Sequence, residues 1–134
     1  MKNLLVFVAL AITLNASANS PTPETALKTI QKNYADPGFS FLRGHKQGQS
    51  GHALQWSMTT SRGIDHYEIQ STYEDPLDIY SNWTTEGTVV SSRPNLIKFT
   101  HQSVMPGFIS YRVIAVRNDG GANVVSGIYS TTID

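Results

Sequence analysis

The 134-residue chain contains no cysteine. Disulfides, thiol nucleophiles, zinc–thiolate sites and iron–sulfur clusters are therefore excluded together. Excess charge of either sign is also missing, with ten Lys and Arg against ten Asp and Glu. That balance argues against the broad basic surface that non-specific nucleic-acid binding requires. The most apolar stretch, Leu4 to Leu14, includes Thr13 and is too short for a helix to cross about 30 Å of hydrocarbon. What remains is 40% hydrophobic with ten glycines and six prolines, the make-up of one ordinary globular domain.

The start of the chain reads as a secretory signal over residues 1–18. Lys2 gives the positive start, the Leu4 to Leu14 stretch the apolar region, and Ala16-Ser17-Ala18 a small-x-small cleavage site. No cysteine follows that site, so a lipoprotein anchor is excluded. After cleavage no integral membrane segment is expected. An exported chain without disulfides fits a bacterial periplasmic, cell-surface or extracellular protein.

Residues 19–38 form a polar leader. Thr22-Pro23-Glu24 resembles a helix start, with a capping hydroxyl, a first-turn proline and an acid near the positive dipole end. Ala26, Leu27, Ile30 and Tyr34 share one helical face, and Asp36-Pro37-Gly38 ends the pattern. A short helix over 23–34 is expected.

After Gly38 the period changes to strict alternation. Leu54, Trp56 and Met58 share one parity, and so do Tyr67 and Ile69, with His66, Glu68 and Gln70 on the other. Further strands are expected at Phe39 to Leu42, Trp83 to Val90, Leu96 to Thr100, Phe108 to Val116 and Val124 to Thr131, with turns at Ser61-Arg62-Gly63 and Asn118-Asp119-Gly120-Gly121. The expected fold class is all-β, a seven-stranded antiparallel immunoglobulin-like sandwich over residues 39–134.

Leu54-Gln55-Trp56, Tyr67-Glu68-Ile69 and Tyr111-Arg112-Val113-Ile114-Ala115-Val116, in that order and spacing, resemble the strand motifs of a fibronectin type III domain. The resemblance covers roughly residues 39–134. It departs from the family in a weak first strand and in a longer stretch between Tyr73 and Trp83. It implies core positions for Trp56 and Tyr111, with the Tyr111 hydroxyl tying the corner into the connection that precedes its strand. It also implies that Trp83 covers the sheet edge.

No catalytic constellation stands out. The four histidines, His45, His52, His66 and His101, lack metal-ligand spacing and read as unrelated surface residues, with His45 and His52 in a loop. Glu74-Asp75-Pro76-Leu77-Asp78 lacks the pattern of a calcium loop and reads as solvated. Gly48-Gln49-Ser50-Gly51-His52 has its glycine one place too early for a nucleophile elbow. No enzyme activity, cofactor or metal is expected.

Two leads remain. Tyr73, Tyr80, Asn82 and Trp83 gather in the irregular stretch after the third strand and are candidate ligand-binding residues, since exposed rings on loops stack on sugars or pack into partners. Arg112, Ile114 and Val116 form a candidate interface on the outward face of the sixth strand, or lie beneath the Leu27, Ile30 and Tyr34 face of the leader. The chain is expected to be a monomeric, non-catalytic binding module for a protein or a polysaccharide. Alternatives are a carbohydrate-binding or matrix-attached accessory protein using Tyr80 and Trp83, and a subunit or chaperone of an envelope assembly.

Overall fold

The alternating segments pair into two antiparallel sheets in a computed structural model that describes residues 36–92 and 96–134. The expected signal segment, the 23–34 helix and the Leu27, Ile30 and Tyr34 face of the leader all lie outside the described residues. Residues 36–134 belong to one compact unit. Its strands are β1 (Phe39–Gln47), β2 (Gly51–Met58), β3 (Ile64–Thr72), β4 (Thr84–Val90), β5 (Leu96–His101), β6 (Gly107–Arg117), β7 (Val124–Val125) and β8 (Tyr129–Ile133).

One sheet has the order β1-β2-β5. The other has β4-β3-β6-β7, with β8 also paired to β6. The two sheets make an immunoglobulin-like β-sandwich, and among the described residues there is no helix. Inward parity supplies the core: Leu54, Trp56 and Met58 from β2, Tyr67 and Ile69 from β3, and Ile109, Tyr111, Val113 and Ala115 from β6. Trp56 and Tyr67 meet edge to face with ring centroids 5.5 Å apart. Burying rings of this size contributes about 2–3 kcal/mol each, and both rings the sequence assigned to the core, Trp56 and Tyr111, are fully buried.

Two expectations are corrected. The first strand does not stop at Leu42 but runs to Gln47, pairing residue by residue with β2 down to Gln47 and Gly51. His45 is thus in a strand, and His52 is in β2 and buried, not in a surface loop. Gly44 has a role in that extension: a Cβ there would stand 2.6 Å from the Tyr129 ring and 2.8 Å from His52 Nε2. The missing side chain makes room for two rings.

The last strand is also broken into β7 and β8. Ile114 faces Val125 and Tyr111 faces Tyr129, so two residues of β6 oppose three on the partner, which is a β-bulge. Ser126 fills the gap. Its Oγ accepts the Val113 N–H at 2.8 Å and donates to the Gly127 carbonyl at 2.7 Å, while its own N–H reaches the Val113 carbonyl at 2.9 Å. A side chain thereby completes the ladder where the backbone steps out of register.

Candidate functional site

The stretch between β3 and β4 is an ordered loop held by its own polar groups. Glu74 clasps Asn82, accepting its N–H at 2.6 Å and its side-chain amide at 3.3 Å. Asp75 and Asp78 each accept the N–H two residues on, from Leu77 and Tyr80, both at 2.9 Å. These are Asx turns, in which a short carboxylate substitutes for a backbone acceptor. Ser81 Oγ donates to the Asp75 carbonyl at 2.5 Å and closes the loop. Three carboxylates that the sequence presents as a solvated run are therefore the organising groups of this loop.

Outside it, the Tyr73 hydroxyl donates to the Met105 carbonyl at 2.9 Å. The loop is tied there to the β5–β6 connection. At its outer turn Leu77, Ile79 and Tyr80 are 82, 87 and 85% exposed.

The four candidate ligand residues have different surroundings. Tyr73 spends its hydroxyl on the tie, and burial pushes its phenol pKa up. Asn82 is engaged by Glu74. Trp83 is half-buried, and the Arg112 guanidinium lies over its ring, 4.0 Å from the centroid. Only Tyr80 stands mostly clear of the protein, beside Leu77 and Ile79, two aliphatic residues that the sequence reading did not single out.

The second candidate surface sits where parity puts it. Arg112, Ile114 and Val116 pair with Gln70, Glu68 and His66 across the β3–β6 ladder, and Arg112 Nε donates to Gln70 Oε1 at 2.8 Å. Val90 lies opposite His66, and Val125 opposite Ile114. Both valines are exposed.

A chain of polar groups beneath the β5–β6 connection escaped the sequence. Ser71 Oγ donates to Glu86 Oε1 at 2.5 Å, Glu86 Oε2 meets His101 Nε2 at 3.1 Å, and His101 Nδ1 meets the Tyr111 hydroxyl at 2.9 Å. With a carboxylate drawing the ring N–H to Nε2, His101 Nδ1 accepts a hydrogen bond from the Tyr111 hydroxyl. The resemblance implied that Tyr111 bonds the connection before its strand; its hydroxyl instead bonds the side chain of His101, the last β5 residue, and the connection itself is held by Tyr73. The His52 ring stacks on Tyr111 at 5.9 Å and on Tyr129 at 5.6 Å, and its Nε2 bonds the Tyr129 hydroxyl at 3.0 Å. Burial, aided by the nearby His45 and His101 charges, holds the His52 pKa below its usual value.

The signal that could have found these histidines was parity, since His52 falls in step with Leu54 and Trp56, and His101 with Ile97 and Phe99. The Tyr111 hydroxyl belongs to a fully buried residue whose pKa burial pushes up, so in this arrangement it serves as a strut. Among the described residues no group of three or more His, Cys, Asp or Glu is placed to hold a metal ion.

No protein-family model matches the chain, and no curated protein does. A solved structure similar to it is the "AA10 lytic polysaccharide monooxygenase (LPMO) from Streptomyces lividans", at 13% sequence identity and a TM-score of 0.47, over 65% of this chain. The match spans 56% of that chain's length. What this molecule has been shown to be is an immunoglobulin-like β-sandwich of two antiparallel sheets.

Proposed function

We propose that this protein is a non-catalytic, exported interaction module of the fibronectin type III kind that binds a protein partner through the β3–β4 loop. The observation that carries the reading is the combination of order and exposure in that loop. Leu77, Ile79 and Tyr80 are more than four-fifths exposed on a backbone already held by Glu74, Asp75, Asp78 and Ser81. A pre-ordered loop gives up little entropy on docking, so burial of its apolar residues converts efficiently into affinity. Exposed apolar side chains on an ordered loop are costly for solubility without such a use.

The chemistry of the partner follows from the loop. It offers an apolar recess for Tyr80 and its aliphatic neighbours, rimmed by Lys or Arg that meet Glu74, Asp75 and Asp78. A sugar-stacking role for Trp83 is less well supported, because Arg112 holds one face of its ring.

The test is site-specific photo-crosslinking in the full chain, with a photoreactive phenylalanine analogue at position 80. The expected result is one dominant protein adduct from the envelope fraction of the producing cell. Leu77→Ser with Ile79→Ser should abolish that adduct without changing the melting temperature. Adduct formation untouched by the double substitution would overturn the reading.

A further inference from the structure

Charge is divided unevenly between the two sheets. None of the nine described Asp and Glu side chains lies in β1, β2 or β5, whereas three of the six described Lys and Arg do: Arg43, Lys46 and Lys98. The described domain thus carries more acid than base, yet one sheet has no acid at all.

Register sorts the outward side chains of this sheet into rows. Arg43, Gln55 and Lys98 form one row across the three strands, and His45, Ala53 and Thr100 the next. At the spacing of neighbouring strands, the backbones carrying Arg43 and Lys98 stand about 10 Å apart. A depression of about 250 Å³ opens here, with Ala53 as the small residue between longer ones and His45, Gln47, Gln55, Lys98 and Thr100 around it.

The hydrogen-bonding state of the lining gives the depression a preference. Gln55 Oε1 already accepts from Arg43 Nη2 at 3.3 Å, and Gln47 Oε1 accepts from the Thr100 hydroxyl at 3.0 Å. Each amide oxygen thus has a donor, and no hydrogen bond within the described residues engages either NH2 group, so both are available as donors. Lys98 adds a further donor to the lining, Arg43 stands beside it with its guanidinium on Gln55 and over the Phe41 ring, and no carboxylate in the sheet competes for either.

We infer that this face is a second binding site, for a carboxylate-bearing polysaccharide, a polyuronate. A sugar ring fits a depression of this size, its carboxylate meets Lys98 or Arg43 in charge-assisted bonds, and its hydroxyls meet the glutamine amides. Cations at both ends of one row suit a ligand that repeats its charge along a chain. The rest of the described domain carries nine carboxylates against three Lys and Arg, so among the described residues a polyanion is steered to this face. The site is separate from the β3–β4 loop.

Calorimetric titration of the full chain at physiological ionic strength tests it. The probes are polygalacturonate, its methyl ester, which keeps the backbone and lacks the charge, and polyglutamate. Polygalacturonate should bind, the other two should bind at least about tenfold more weakly, and raised salt should weaken binding. Arg43→Glu with Lys98→Glu, both at exposed positions, should remove binding with the fold intact by circular dichroism. Leu77→Ser with Ile79→Ser should leave it unchanged. Absence of polygalacturonate binding, equal binding of the ester or of polyglutamate, or indifference to the charge reversal would each overturn the inference. So would self-association of the chain that the charge reversal abolishes, since the face would then belong to a second copy.

Discussion

The guanidinium of Arg112 lies 4.0 Å over the indole of Trp83 while its Nε donates to Gln70. One side chain of β6 thereby joins the end of the β3–β4 loop to the outward face of β3. Burial lowers the Arg112 pKa, and a guanidinium nonetheless stays charged at neutral pH.

Removing either member should therefore loosen the loop without unfolding the sandwich. Arg112→Ala loses a charged hydrogen bond and a cation–π contact, together about 1–3 kcal/mol, and Trp83→Ala loses the same contact plus burial of its ring. Arg112→Lys keeps the charge but not the planar fork and should fall between wild type and Arg112→Ala. Urea denaturation of the three variants measures the order. Equal stability of Arg112→Ala and wild type would mean that the stack contributes nothing.

Tyr73 holds the other end of the loop. Tyr73→Phe deletes the bond to the Met105 carbonyl, an exposed bond contributing about 1 kcal/mol at most. The expected outcome is a small drop in global stability with faster amide exchange in the β3–β4 and β5–β6 connections, read by hydrogen–deuterium exchange. Faster exchange spread evenly through β3 and β6 would assign Tyr73 to the core instead.

At Ser126 the cost should be larger for a smaller change. Ser126→Ala leaves the buried Val113 N–H without its acceptor, and an orphaned buried donor costs about 1–3 kcal/mol. Ser126→Thr keeps the hydroxyl and should recover most of the loss if its extra methyl is accommodated. Thermal melts of the two variants decide whether the hydroxyl or the bulge geometry itself stabilises the last strand.

What was legible in the sequence was parity. Alternation puts Leu54, Trp56, Tyr67 and Ile69 on inward faces and Arg112, Ile114 and Val116 on the outward face of β6, where they pair with Gln70, Glu68 and His66, and the strand motifs add Tyr111 to the core. Parity fails where a strand has no apolar face to reveal it, as in Arg43 to Gln47. That segment is a strand because β2 pairs with it and Gly44 admits the His52 and Tyr129 rings, and Tyr129 stands 77 positions from His52. The order of the β3–β4 loop was hidden for a similar reason. A carboxylate that caps its own turn and one that is merely solvated have the same composition, and only hydrogen-bond geometry separates them.

Two histidines of opposite character should bracket the pH of greatest stability. His52 has its pKa lowered by burial first and by neighbouring histidine charge second. The unfolded chain, with an ordinary histidine pKa of 6.5, takes up a proton that the folded protein refuses. Stability from this residue is present above 6.5 and is lost as pH falls toward the folded value. His66 has its pKa raised, chiefly by the hydrogen bond to Asp65 at 2.7 Å. Its contribution is full below 6.5 and is lost as pH rises through the higher folded value.

The two slopes therefore descend on opposite sides of pH 6.5, the acid side more steeply because His52 is buried and His66 is largely solvent-screened. His52→Phe keeps the ring stack and should flatten the acid side. His66→Gln should flatten the alkaline side only. A further loss belongs to Asp119, whose pKa the Arg117 guanidinium draws down from 3.8 to about 2; it sets in only as pH falls through that interval, and Asp119→Asn should remove it. Melting temperatures from pH 2 to 9 separate the three. An acid limb that survives in His52→Phe would mean that the buried imidazole is not what resists protonation.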